Sequence, residues 1–180
     1  MAQSTKPNPG IAGYAERDVP IVGDDPLARA EATLGQFADE FTTWMCDECE
    51  RLEAAREDVV RGGLTQMTHG PLYRAAHDIK GEAATFGYPA LADAADSLCR
   101  LLEHTPQLTR IPIALVDQHV SAVRAIFREY DRPDLNQMAG ALTDRLREVT
   151  DEFLEHENSF RPDYLESILA PPLVPKTSGR

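Results

Sequence analysis

The sequence lacks long apolar runs. No stretch approaches the roughly 20 consecutive apolar residues that a membrane-spanning helix needs, and the first residues lack the charged-then-apolar layout of a signal peptide. Basic residues are also few, 18 against 30 acidic ones, which leaves a net charge of −12. Such a charge disfavours nonspecific binding to nucleic acid or to an anionic membrane. We therefore expect a cytoplasmic protein with neither as a partner.

Cysteine is scarce as well. Cys46, Cys49 and Cys99 are an odd number that cannot all pair within one chain, and cytosolic thiols stay reduced. Cys46 and Cys49 form a CxxC, a spacing found in zinc and redox sites, but no second CxxC accompanies it. Because Cys49 falls on the apolar stripe of a helical pattern, we expect it in the core, and we expect no metal and no cofactor.

The motifs of the common enzyme classes are missing too. The sequence has no GxSxG, no Walker-type phosphate loop, no HExxH and no pair of Glu-x-x-His motifs of the kind that builds a di-iron bundle. Without a nucleotide-binding segment, kinase activity is not expected. We therefore predict a protein that is not an enzyme.

What the sequence does contain is helical periodicity. Asp25 and Pro26 form a helix-start pair, and apolar residues recur at helical spacing until Gly62 and Gly63. Later prolines stand where four more helices could start: Pro71, Pro89, Pro112 and Pro133. Nothing alternates with period two. The pattern predicts an all-α fold, an antiparallel up-and-down four-helix bundle with an additional C-terminal helix.

The boundaries of this organisation follow from composition. Residues 1–24 are predicted to be a flexible arm, 25–131 the bundle, 132–158 the additional helix and 159–180 a loose tail. The additional helix carries an apolar, heptad-like stripe: Leu135, Met138, Leu142, Leu146, Val149 and Phe153. This stripe either packs back onto the bundle or forms a homodimer.

The second helix, predicted at about 71–86, carries the chemistry. One side is apolar and turns into the core: Leu72, Ala75, Ile79, Ala83 and Phe86. His77 projects from nearly the opposite side. Its neighbours at helical spacing are small, aromatic or cationic: Gly70, Tyr73, Arg74, Lys80, Gly81 and Ala84.

These neighbours suit phosphoryl transfer. A partly exposed imidazole is a competent nucleophile near neutral pH, and Lys80 or Arg74 could lie beside negative charge on the ring. Glycine within a helix costs about 0.5–1 kcal/mol relative to alanine. Gly81 therefore indicates a compensating role, the close approach of another protein surface to His77. The other histidines lack such a neighbourhood, and His69 falls in a predicted turn.

The stretch from Arg74 to Ala83, followed by Gly87 and then Leu91, Ala94 and Leu98, resembles the phosphoacceptor helix of the histidine-phosphotransfer (HPt) family and the helix after it. Close resemblance covers about 72–102. It implies a four-helix bundle whose histidine relays a phosphoryl group between receiver-domain aspartates in a multistep two-component phosphorelay. The partners implied are receiver domains of hybrid histidine kinases and of response regulators, which would hold the magnesium used in transfer.

Carried over by position, the resemblance makes His77 the phosphoacceptor, Lys80 the cation near the phosphoryl oxygens and Gly81 the point of approach. Gly87 would end the helix. Tyr73, Arg74 and Ala84 would contact the partner. The main alternative is a helical binding module that sequesters or inhibits a response regulator or kinase without being phosphorylated. A resemblance to the phosphoacceptor domain of chemotaxis kinases is a further alternative, with an ATP-bound kinase domain as donor.

Overall fold

A computed structural model describes residues 26–130 and 132–170, which form helices, turns and loops. Within these residues six α-helices follow one another: α1 (Pro26–Gly62), α2 (Gln66–Thr85), α3 (Pro89–His104), α4 (Ile113–Arg128), α5 (Asn136–Glu157) and α6 (Pro162–Leu169). Short 3-10 helices at Leu108–Arg110 and Pro133–Leu135 precede α4 and α5. The predicted all-α class is confirmed. The predicted arm at 1–24 lies outside the described residues.

The chain divides into two compact units, 1–37 and 38–180. The described part of the first unit is the beginning of α1, and all contacts discussed below lie within the second. One buried cluster in the second unit takes apolar residues from α1 to α5, among them Met45, Leu72, Leu98, Val120 and Leu146. These helices therefore share one hydrophobic core.

Side-chain pairs give the direction of neighbouring helices. Thr42 contacts Tyr130 and Arg56 binds Asp117 at 3.0 Å, so α1 and α4 run antiparallel. In the same way Tyr73 contacts Glu103 and Lys80 contacts Asp96, which makes α2 and α3 antiparallel. These pairings agree with an up-and-down arrangement of the first four helices.

Helix α5 packs against α3 and runs parallel to it. Asp96 binds Arg147 at 2.6 Å and Arg100 binds Asp151 at 2.7 Å. The buried face of α5 is Thr143, Leu146, Thr150, Leu154 and Glu157. The predicted stripe was therefore partly wrong: Leu146 is buried, whereas Met138 is 67% and Leu142 38% exposed. Because α5 packs on the bundle, the described contacts support the first alternative for this stripe and not the homodimer.

Helix α2 begins earlier than predicted. Its N-cap is Thr65, whose hydroxyl accepts the backbone N–H of Thr68, while the Thr68 hydroxyl accepts the backbone N–H of Thr65. This reciprocal cap starts the helix at Gln66, and Pro71 lies inside the helix, where it leaves the carbonyl of Met67 without an intrahelical donor. The predicted start at Pro71 and the predicted turn at His69 were both wrong.

Helix α2 ends where the sequence predicts. Gly87 adopts a φ of 83°, a left-handed conformation that favours glycine, and the backbone N–H of Tyr88 donates to the carbonyl of Ala83 at 2.8 Å. The chain thereby reverses direction into α3. Phe86, predicted to be in the core, is 43% exposed, although its ring stacks on Phe41.

The end of the chain contains a helix that was not predicted. Residues 159–180 were expected to form a loose tail, but α6 begins at Pro162 and buries Ile168. Tyr164 bonds to His104 Nδ1 at 3.0 Å, and this contact ties α6 to α3. A helix of eight residues shows too few turns for its period to stand out in the sequence. Residues 171–180 lie outside the described part.

A buried polar cluster joins α3, α4 and α5. His119 is fully buried, and its Nδ1 donates to the carbonyl of Leu115 at 2.8 Å. In the neutral ring Nε2 is then an acceptor, and it lies 3.0 Å from the hydroxyl of Ser97 and 3.1 Å from that of Thr150. Burial lowers the pKa of His119, so the folded protein keeps this ring neutral.

This cluster predicts acid sensitivity of the fold. As the pH falls below about 6.5, the unfolded chain binds a proton at His119 and the folded chain does not, so stability is present above that pH and is lost below it. Each such group adds a slope of up to about 1.4 kcal/mol per pH unit. His104, also partly desolvated with a lowered pKa, acts in the same direction.

The measurement is urea unfolding between pH 7.5 and pH 5.5. We expect the free energy of unfolding of the wild type to fall over this range, and the slope to become smaller in His119→Gln, which lacks the titrating ring. His156→Gln, at an exposed position of α5, is the control and should keep the wild-type slope. Equal slopes in all three proteins would contradict the role of His119.

Candidate functional site

His77 lies in the middle of α2 on the side away from the core. Its side chain is 60% exposed. The opposite face is buried: Leu72, Ala75, Ala76, Ile79 and Ala83. The outward orientation predicted for His77 from helical spacing is thus what the structure has.

An aromatic column supports the imidazole from the N-terminal side. The rings of Tyr73 and His77 stack with centroids 5.9 Å apart, and those of His69 and Tyr73 stack at 5.8 Å. His69 Nε2 lies 3.3 Å from the carbonyl of Leu102, and the Tyr73 hydroxyl lies 3.5 Å from Glu103, so α3 anchors the column. The part played by His69 was missed, although His69, Tyr73 and His77 follow one another at four-residue spacing.

The two ring nitrogens of His77 differ in their surroundings. Nδ1 lies 3.7 Å from the carboxylate of Asp78, a separation too long for a direct hydrogen bond. Nε2 lies at the far end of the ring, away from the helix backbone.

The two cations predicted beside His77 differ in their surroundings. Lys80 Nζ binds Asp96 Oδ1 of α3 at 2.7 Å. The hydrogen bond that Lys80 donates to Asp96 raises the pKa of Lys80, which keeps its ammonium group charged. Arg74 is exposed and forms no ion pair within the described part of the chain; it lines a groove between α1 and α2 with Glu48. The pairing of Lys80 was not predicted, because Asp96 belongs to another helix.

Gly81 leaves the backbone beside His77 uncovered. A Cβ built on Gly81 would meet no atom within 4 Å, and Ala84 one turn later is also exposed. No packing within the described residues explains a glycine here. The surface next to the imidazole is therefore open to another protein.

The CxxC does not form part of this site. Cys49 is buried and Cys46 is exposed, and both are free. Burial raises the pKa of Cys49 to about 11, so it is a neutral thiol near neutral pH. The prediction that Cys49 belongs to the core is confirmed.

Comparison with known families decides what kind of domain this is. Residues 36–156, well over half of the chain, match the family model described as Hpt domain. The chain belongs to the Hpt family. Comparisons with curated proteins and with solved structures found no match.

Membership of the Hpt family sets the general role of the chain. Hpt domains are phosphocarrier modules rather than enzymes, and they interact with receiver domains in histidine-based phosphorelay signalling. The matched residues include His77 and most of α5, which lies beyond the predicted bundle boundary at 131. None of the helices in the described residues combines the length and the apolar character that crossing a membrane requires.

Proposed function

We propose that this Hpt protein carries a phosphoryl group on His77 and relays it between the aspartates of two receiver domains. The observation that supports this most strongly is the exposure of His77 at the centre of α2, within the matched residues and opposite the core. The proposed partners are receiver domains of hybrid histidine kinases and of response regulators, and the proposed location is the cytoplasm.

The transfer is an in-line displacement in which Nε2 of His77 attacks the phosphorus of a receiver's aspartyl phosphate. The P–N bond forms as the P–O bond breaks, and the electron pair of that bond stays on the receiver carboxylate. For Nε2 to attack with its lone pair, the neutral ring carries its proton on Nδ1, and this proton remains there as the P–N bond forms. Delivery to the second receiver is the same step in reverse, so no nucleotide takes part in either.

The neighbours of His77 orient the ring, neutralise charge on the phosphoryl group and give the receiver access. Tyr73 orients the imidazole by stacking on it. Lys80 or Arg74 neutralises charge on the phosphoryl oxygens. Gly81 and Ala84 let the receiver come close, and Tyr73 and Arg74 lie where the partner would contact α2.

The relay is tested by a two-step transfer. The protein is first incubated with a panel of phosphorylated receiver domains, isolated, and then mixed with a second, unphosphorylated receiver. We expect label to move onto the protein, to be labile in acid and stable in alkali, and to pass on to the second receiver. If receivers bind but no label is taken up, the protein is a sequestering module and the relay proposal fails.

Replacement of Gly81 by alanine should have opposite effects on the stability of the protein and on the access of the receiver to His77. Because the added methyl group has room and alanine favours helix, Gly81→Ala should raise the free energy of unfolding by about 0.5–1 kcal/mol. The same methyl group obstructs the receiver, so transfer should slow about tenfold, equivalent to about 1.4 kcal/mol. Urea unfolding and the initial rate of label uptake measure the two effects.

Gly140→Ala is the matched control, because Gly140 is also a helical glycine with free space around it but lies on α5. It should stabilise the protein to a similar extent and leave the transfer rate unchanged. Equal transfer rates in both variants would show that Gly81 has no role in the approach of the partner.

A further inference from the structure

A charged network connects α5 to the phosphoacceptor helix. Asp96 on α3 binds Lys80 of α2 through Oδ1 at 2.7 Å and Arg147 of α5 through Oδ2 at 2.6 Å. Arg147 also contacts Asp151 at 3.5 Å, and Asp151 binds Arg100 at 2.7 Å. The network contains three cations and two carboxylates, so it carries one excess positive charge beside α2.

The ammonium group of Lys80 can pair with either of two anionic groups, the carboxylate of Asp96 or a phosphoryl group on His77. It is three residues after His77, and helix neighbours at this spacing have Cβ atoms about 5–6 Å apart, so the ammonium group can reach a phosphoryl group on the imidazole. In the unphosphorylated protein the ammonium group binds Asp96 instead. To neutralise a phosphoryl group on His77, Lys80 has to loosen its pair with Asp96.

Arg147 determines whether Asp96 keeps a cationic partner when Lys80 turns to the phosphoryl group. The Asp96 side chain is only 25% exposed, and a poorly solvated carboxylate without a partner is unfavourable. Burial opposes the ionisation of Asp96, but the hydrogen bonds from Lys80 and Arg147 outweigh it and lower the pKa of the carboxyl. With Arg147 bound to Oδ2, Asp96 keeps a cationic partner when Lys80 turns away. The Lys80 side chain is 44% exposed, so the movement needs no opening of the core.

We propose that Arg147 is a positioning residue for phosphotransfer, which holds Asp96 from α5 and thereby makes Lys80 available to the phosphoryl group on His77. This inference rests on the proposed relay function and assigns a role in it to the fifth helix. Without Arg147, Asp96 would have Lys80 as its remaining partner in this network and would retain it. The phosphorylated form would then lose part of its stabilisation.

The first test measures the equilibrium of label between one receiver and the protein. Arg147→Gln should reduce the labelled fraction of the protein about three- to tenfold relative to the receiver, and Arg147→Lys should keep most of it. Asp96→Asn removes the competitor for Lys80, so adding Asp96→Asn to Arg147→Gln should restore the labelled fraction. Lys80→Ala should lose at least as much as Arg147→Gln, and adding Arg147→Gln to Lys80→Ala should cause no further loss.

Arg145→Gln is the control for a change of charge on α5, because Arg145 pairs with Glu148 away from this network. It should leave the labelled fraction at the wild-type value. Rescue by Asp96→Asn also separates this role from a structural one, since a variant that merely weakens the packing of α5 is not restored by removing Asp96. The proposal would be overturned if Arg147→Gln left the labelled fraction undiminished. It would also be overturned if Arg147→Gln reduced the labelled fraction as much in the Lys80→Ala background as in the wild type.

A second measurement tests the effect of Arg147 on Lys80 without phosphotransfer. Titration of the Lys80 ammonium group by NMR in the unphosphorylated protein should give a higher pKa in Arg147→Gln than in the wild type, and a lower one in Asp96→Asn. If the wild type takes no label from any receiver, the relay function fails whatever the titration shows. If the wild type is labelled but the Lys80 titration is the same in all variants, Arg147 does not act through Asp96.

Discussion

His77→Gln is expected to abolish uptake of the phosphoryl group, with a loss of at least about a thousandfold in the transfer rate. Glutamine is polar and similar in size, but its amide has no basic lone pair and does not form a P–N bond of comparable reactivity. Because the His77 side chain is 60% exposed, the substitution should change the free energy of unfolding by no more than about 0.5 kcal/mol. Label uptake from a phosphorylated receiver and urea unfolding measure the two quantities.

The control for this substitution is another histidine of the same protein. His156 is exposed near the end of α5, and His156→Gln should be labelled like the wild type. Receiver binding should survive in His77→Gln, since the rest of the α2 surface is unchanged. Undiminished labelling of His77→Gln would place the phosphoryl group on another residue and contradict the assignment of His77.

Leu146→Ala is expected to destabilise the fold by about 2–4 kcal/mol. Leu146 is 6% exposed and belongs to the core cluster shared by α1 to α5, so truncation leaves a cavity where α5 meets the bundle. The expected result is a lower midpoint in urea with a similar dependence on denaturant. This size of effect would show that α5 is an integral part of the fold.

Leu142 provides a matched control one turn earlier on the same helix. It is 38% exposed, so Leu142→Ala should cost less than about 1 kcal/mol. If α5 were instead the contact of a homodimer, the exposed Leu142 and Met138 would be central to it. Leu142→Ala would then be as harmful as Leu146→Ala, and the unfolding midpoint would depend on protein concentration.

Helix positions could be predicted from the sequence where local signals decide them. Pro26 and Pro89 each begin a helix, as their place at the first helical position favours, and Gly87 ends α2 in the left-handed conformation. At Pro71 the same reasoning failed, because the reciprocal cap of Thr65 and Thr68 starts the helix one and a half turns earlier. A capping pair of two threonines lacks the acidic or amide residue that usually marks this motif.

The buried face of α5 was harder to predict, because it is partly polar. Thr143 and Thr150 lie on the buried side, and Thr150 takes part in the cluster around His119. A search for apolar spacing passes over such residues and selects Met138 and Leu142, which are exposed. Polar residues satisfied by hydrogen bonds between helices cannot be recognised from one sequence.

Some features of the candidate site could also be predicted from the sequence, and others could not. The outward position of His77 and the open space at Gly81 follow from the period of a single helix, and both were predicted. The partners of Lys80 were not, since Asp96 and Arg147 come from two other helices. Their proximity depends on the packing of α5 against α3, and no local signal in the sequence predicts that contact.

The most direct test of the central claim is to locate the phosphoryl group on the wild-type protein. The protein is phosphorylated by a receiver domain at neutral pH and examined by phosphorus and nitrogen NMR with labelled histidine. The proposal predicts one phosphoramidate signal, coupled to Nε2 of His77 and absent from His77→Gln. A phosphoryl group on another residue, or none at all although receiver binding is seen, would contradict it.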